Sequence, residues 1–192
     1  MTTSHEHEEN YSKTLFGFWV YLLSDLVLFG ALFATYAVLR TATYGGPSAA
    51  ELLHPSRALM QTLLVLTASF TSGLGKVFTH RGMKNATLTM YGLTFLLGIA
   101  FMMIGLTEWN DLVVQGSSWK KSAFLSAFFT LIGTYFLHMI CALLWVIVLL
   151  VPVFKKGLTP VNVKRLSCLT MFWQFLNIVW IFIFSIVYLL GA

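Results

Sequence analysis

Charge is what this sequence has least of. Asp, Glu, Lys and Arg make up 10% of its 192 residues, against about 25% in an average soluble domain. A soluble chain of this size leaves about a third of its surface in water and must cover it with polar groups; too few are present here. Cysteine is also scarce. Cys141 and Cys168 are the only two, both within or at the edge of apolar stretches, with no CxxC pair and no extracellular spacing pattern. That excludes a disulfide scaffold and a thiolate metal site. Strands of roughly ten alternating residues, the mark of a membrane barrel, are missing as well.

What is present is apolar. The apolar set reaches 58% of the chain, and the mean hydropathy is +0.81. Five runs stand out, at residues 16–39, 59–79, 86–107, 122–154 and 166–192, and of all the charged residues they contain only Asp25 and Lys76. Each is long enough for a helix to cross about 30 Å of hydrocarbon, which takes about 20 residues. A helix also satisfies its backbone polar groups internally, as lipid requires. The fold class expected is all-α, a polytopic bundle of five transmembrane helices formed by residues 16–192. Residues 1–15 are expected to be a flexible cytoplasmic tail, and its His5-Glu6-His7-Glu8-Glu9 segment reads as a solvated tail rather than a metal site. The first run follows three glutamates and a single Lys13, is too long for a signal peptide, and lacks an A-x-A-like cleavage site, so it is expected to be retained.

Orientation follows from the basic residues. Lys13, Lys76, Arg81, Lys84, Lys155, Lys156, Lys164 and Arg165 fall on one side, and Arg40, Arg57, Lys120 and Lys121 on the other. The positive-inside rule places the N-terminus in the cytoplasm and the C-terminus outside. The net charge of +5 is accounted for by this bias, and no nucleic-acid partner is expected. Residues 40–58 form the longest loop and read as ordered turns. The 155–165 loop has a helix stop at Gly157 and a restart at Thr159-Pro160, and Pro152 is expected to end the regular part of the fourth helix. Helix packing in lipid relies on small residues, and the candidates are Gly30 with Ala34, Ser69 with Gly73, Gly98 with Gly105, and Ala123 with Ala127.

Polar side chains inside the spans are costly unless paired, and so they are the informative ones. Asp25, preceded by Ser24 and one turn after Tyr21, is expected either to be neutralised by a proton or to meet a donor on another helix. No in-chain partner at matched depth is evident for it. His138 is the only histidine deep in a span and reads as a hydrogen-bonded packing residue, because a bis-histidine haem needs a second imidazole. Gln174 and Asn177 are three residues apart and are expected to share a polar seam flanked by Trp173 and Trp180, which would pack on a partner helix or lipid. Glu108, Trp109 and Asp111 fall where the third run leaves the bilayer, and an interface aromatic between solvated acids is the plain account. Residue chemistry alone leaves three classes open: an accessory subunit, a small transporter and a membrane-embedded enzyme. The enzyme is the weakest of these, because no nucleophile, base or metal set converges.

Several blocks of sequence carry a family resemblance: GFWVYLLSDLVLFGALFATYAVL at residues 17–39, SAFLSAFFTLIGT at 122–134 followed by LHM at 137–139, KKGLT at 155–159, and FWQFLNIVWIFIFSIVYLLG at 172–191. In this order they resemble subunit 3 of the haem–copper terminal oxidases, in the five-helix form of the bo-type ubiquinol oxidases. The resemblance implies a buried acid after Ser in the first helix (Asp25), an acid with an aromatic neighbour ending the third (Glu108 and Trp109) and a histidine in the fourth (His138). Two departures stand out. The family's Gly-Thr-His-Gly is here Gly133-Thr134-Tyr135-Phe136, and its Trp-His-Phe-x-Asp is Trp173-Gln174-Phe175-Leu176-Asn177. An amide pair keeps hydrogen bonds but not charge, which favours a structural role for Gln174 and Asn177. The resemblance implies a non-catalytic subunit with no cofactor or metal of its own and no catalytic residues. The haems and copper would lie in subunit 1, and the partners would be subunits 1 and 2, a small subunit 4 and membrane phospholipid, in a bacterial inner membrane. A cytochrome c oxidase subunit 3 and a proton-coupled transporter are the alternatives. Ser24, Asp25, Glu108, His138, Gln174 and Asn177 are the buried polar or subunit-interface candidates.

Overall fold

The computed structural model describes residues 2–44, 52 and 55–190, with side chains from residue 12 onward. Among the described residues five long helices follow one another: α1 (Thr2–Leu39), α2 (Pro55–His80), α3 (Lys84–Val114), α4 (Ala123–Lys156) and α5 (Pro160–Ile183), the last running into a six-residue π-helical turn at Phe184–Leu189. All five are long and apolar enough to cross a membrane, and no strand occurs among the described residues. The protein is a five-helix, multi-pass membrane protein.

The ends of the helices follow local chemistry. Ser122 accepts the Leu125 N–H at 3.2 Å to cap α4, and Thr159 accepts the Asn162 N–H at 3.3 Å ahead of Pro160 to start α5. Gly157 ends α4 at φ 77°, a conformation that a side chain would strain. Three boundaries differ from expectation. α4 runs through Pro152 to Lys156, so the proline does not stop it. A proline costs one backbone hydrogen bond and can kink a helix, but packed neighbours keep such helices going in membranes. The segment expected as a flexible tail is helical from Thr2, continuous with α1. Pro55 begins α2 rather than sitting in a loop, and about half of the 40–58 turn region lies outside the described residues.

α5 is the centre of the bundle. It packs on α1, α2 and α4, while α2 and α3 form the most extensively packed antiparallel pair. Half of the most apolar stretch of α5 is buried, against 17% of that of α1. α1 contributes a buried stripe of Leu22, Phe29 and Tyr36, seven residues apart, flanked by partly buried residues such as Phe18, Leu32 and Phe33, and exposes most of the rest. The close approaches are made by some of the expected small residues and not by others. A Cβ at Gly98 would stand 2.8 Å from both Leu143 and Trp173, and one at Gly105 would strike the Phe136 ring. Gly30 and Gly73 have nothing within 4 Å of that position, and Ala34 is exposed. The α2 approach instead uses the stripe Ala68–Ser72–Gly75, with Gly75 against Tyr91.

Hydrogen bonds across helices are carried mostly by threonine. Thr71 and Thr94 hydroxyls meet at 2.8 Å, Tyr91 and Thr170 at 2.7 Å, and the Trp180 indole donates to Thr62 at 3.0 Å. In lipid each such bond is worth about 0.6–2 kcal/mol, and it removes a polar group that would otherwise be orphaned.

Candidate functional site

Asp25 lies on the buried stripe of α1, between Leu22 and Phe29, facing α4. His138 of α4 meets it: Nε2 stands 3.7 Å from Asp25 Oδ2, and the two side chains are 16% and 14% exposed. His138 Nδ1 lies 2.8 Å from the Thr134 carbonyl. A carbonyl only accepts, so Nδ1 donates there, and Nε2 is the nitrogen turned to the carboxylate. At 3.7 Å the contact is electrostatic rather than a hydrogen bond. Phe29, with its ring centroid 5.1 Å from that of the imidazole, and Phe172, at 6.4 Å, close around it. Tyr21 packs its ring on Phe172 one turn before Asp25. His138 is thus hydrogen-bonded and ring-packed as expected, and it also brings an imidazole up to Asp25, whose Oδ2 has no hydrogen-bond partner. The pair was hidden because its members come from opposite ends of the sequence. Ser24 points away; it is exposed, and its hydroxyl bonds back to the Val20 carbonyl at 3.2 Å.

A second polar cluster lies at the far end of α3. Glu108 is 5% exposed, not solvated as expected, and accepts a hydrogen bond from the Tyr188 hydroxyl at 3.3 Å. The π-helical turn that continues α5 carries Tyr188 and buries it with Val187, which covers the acid. Asp111, one turn on, is exposed and pairs with Arg57 of α2 at 2.7 Å. Trp109 packs edge-on against Phe129, with centroids 4.9 Å apart, and leans on Phe136. It is part of the packing between α3 and α4, not an isolated interface aromatic.

The seam expected on α5 does not form. Gln174 is exposed and lines an apolar groove of about 270 Å³ with Trp19, Leu22, Leu26, Met171 and Phe175. Asn177 is half-buried, with its Oδ1 unpartnered. Trp173 and Trp180 are 1% and 0% exposed, so they fill the core rather than face a partner or lipid. Trp180 stacks edge-on against Phe101 at 4.7 Å. Several residues of the polar framework escaped the sequence reading: Gln61, Tyr91 and Tyr188, and the threonines Thr62, Thr71, Thr94 and Thr170. The signal for Gln61 was available, since it is an amide inside the second apolar run.

Among the described residues no three His, Cys, Asp or Glu side chains come close enough to hold a metal ion. Cys141 and Cys168 are free thiols, the first exposed and the second buried. The arrangement can tie helices together through polar pairs, and it offers α1 as a largely open face. These are the features of a membrane-embedded subunit built to sit in an assembly. Sequence comparison agrees. The family model described as cytochrome c oxidase subunit III matches residues 1–192. The chain is 44% identical to a cytochrome bo(3) ubiquinol oxidase subunit 3 of Pseudomonas aeruginosa, over 98% of this chain and 91% of that protein. It is 41% identical to a cytochrome c oxidase subunit 3 of Bacillus sp. PS3 (91% and 84%) and 37% identical to a quinol oxidase subunit 3 of Bacillus subtilis (92% and 87%). The chain belongs to the cytochrome c oxidase subunit III family, and it is a subunit 3 of an oxidoreductase complex of the haem–copper type.

Proposed function

We propose that this chain is the non-catalytic subunit 3 of a bo-type ubiquinol oxidase, one that stabilises subunit 1 in a bacterial inner membrane. The full-length 44% identity to a bo(3) subunit is the observation that carries the donor assignment. The lone deep-set imidazole, His138, is taken up by Thr134 and Asp25, which supports placing the haems and copper in subunit 1. Subunit 1, subunit 2 and a small subunit 4 are the partners. The open face of α1 around Val27, Gly30 and Ala34 supports docking of a larger membrane subunit there, because small residues let another helix approach closely. The apolar groove between α1 and α5 fits a phospholipid acyl chain. Within the chain, Asp25 and His138 fasten α1 to α4, and Glu108 and Tyr188 fasten α3 to the end of α5. Residues 16–192 act as one domain, with the N-terminus in the cytoplasm and the C-terminus outside.

The test is purification in mild detergent through a tag on this chain, with the co-purifying polypeptides, the visible spectrum and the electron donor recorded. Larger haem-bearing chains with ubiquinol oxidase activity are expected. Activity with cytochrome c alone would move the chain to the cytochrome c branch, and a colourless single chain would point to a transporter. A periplasm-active reporter fused at the C-terminus checks orientation, and an inactive fusion that is active when moved to the N-terminus reverses it.

A further inference from the structure

The outer part of the bundle holds more buried polar atoms than its own bonds satisfy. Glu108 Oε1 has no hydrogen-bond partner although the residue is 5% exposed, and neither Nε2 nor Oε1 of Gln61 has one although that residue is 1% exposed. Leaving such groups unpaired costs about 1–3 kcal/mol each, more for a carboxylate, so native structures rarely do it. The two residues belong to neighbouring helices. Gly105 lies one turn before Glu108 on α3, and a Cβ built on it would stand 3.1 Å from Gln61 Nε2 and strike Phe136. With no side chain at 105, the Phe136 ring and the Gln61 amide close against α3 there, and a small chamber remains beside them. It is lined by Gly105, Glu108, Trp109, Ile132, Phe136 and Tyr188, with about 10 Å³ of room; Gln61 is not in its wall but borders it at Gly105. One water centre needs about 10–15 Å³ and two to four polar partners.

We propose that this chamber is a binding site for one ordered water, which donates to Glu108 Oε1 and accepts from Gln61 Nε2. The water completes the carboxylate whose other oxygen Tyr188 already holds. It joins α2, α3 and the π-helical end of α5 at one point. Gly105 is what lets the Gln61 amide approach α3, and the aromatic walls from α4 limit the space to a single molecule.

The test uses the assembled complex. A cryo-EM map fine enough to show waters is expected to contain one peak in hydrogen-bonding contact with Glu108 and Gln61. A map that shows waters elsewhere in the bundle but none here overturns the proposal, as does a direct Glu108–Gln61 hydrogen bond. Where the map does not reach waters, a double-mutant cycle decides. Glu108→Met and Gln61→Met each orphan the other group, and each is expected to lower the melting midpoint of the complex by roughly 2–12 °C. The double variant, which removes both, is expected to recover part of that loss. Strictly additive losses would show that the two groups share no water. Both variants keep side-chain bulk, so the comparison does not rest on Gly105→Ala, whose clash with Phe136 is enough to disturb folding by itself.

Discussion

Replacing Asp25 with leucine removes the carboxylate and leaves His138 Nε2 facing an apolar side chain. The imidazole is 16% exposed and packed by Phe29 and Phe172, so no solvent takes the place of the lost partner. The contact is electrostatic at 3.7 Å, not a hydrogen bond, and a polar pair between helices in lipid is worth about 0.6–2 kcal/mol. For a chain of this size each kcal/mol moves the melting midpoint by about 2–4 °C, so Asp25→Leu should lower it by roughly 1–8 °C. Asp25→Asn keeps the shape and an acceptor oxygen, and should cost less. The decisive variant is Asp25→Leu with His138→Leu, in which neither polar group remains; its loss should be smaller than the sum of the two single losses. The assay is retention of this subunit on the solubilised complex as temperature rises, read by gel shift or by the haem band of the recovered complex. Additive losses, or an Asp25→Leu protein as stable as the parent, would refute the pairing. Normal assembly of Asp25→Asn with abolished proton pumping would refute the structural role and make this acid a proton carrier.

Other outcomes follow from the same geometry. Trp180→Phe removes the hydrogen bond to Thr62 and shrinks the edge-on contact with Phe101; a loss of about 1–3 kcal/mol is expected, measured as a lower melting midpoint. Arg57→Ala breaks a 2.7 Å ion pair whose side chains are 46% and 49% exposed, and its effect should stay within about 1 kcal/mol and vanish in high salt. Gly30→Leu meets nothing inside this chain, so the isolated subunit should keep its helicity and melting behaviour while co-purification of the larger chains falls; unchanged assembly would remove that face from the docking surface.

The positions of Gly98 and Gly105 show how far sequence reading reaches. Both were legible as small residues two turns apart on one helix, and both do serve close approach. Gly30 with Ala34 and Ser69 with Gly73 are small pairs one turn apart, yet nothing in this chain approaches Gly30 or Gly73, and Ala34 is exposed. Spacing tells that a helix has a small face, not which neighbour meets it. The same holds for the acids: Asp111 is open and ion-paired as a solvated acid should be, whereas Glu108, one turn earlier on α3, is buried under Tyr188.

The sequence by itself determined five membrane-spanning helices, the stop and restart at Gly157 and Thr159-Pro160, the free cysteines and the family. These follow from composition, run length and local backbone chemistry, which do not depend on what lies across the bundle. Only the tertiary structure decided that Asp25 faces His138, that Trp173 and Trp180 fill the core, that Gln174 lies in a groove apart from Asn177, and that Glu108 is buried under Tyr188. The physical reason is the solvent. In water an amphipathic pattern marks the inner face of a helix, but a helix apolar all round carries no such mark. In lipid the inside is chosen by shape and by which polar groups find each other.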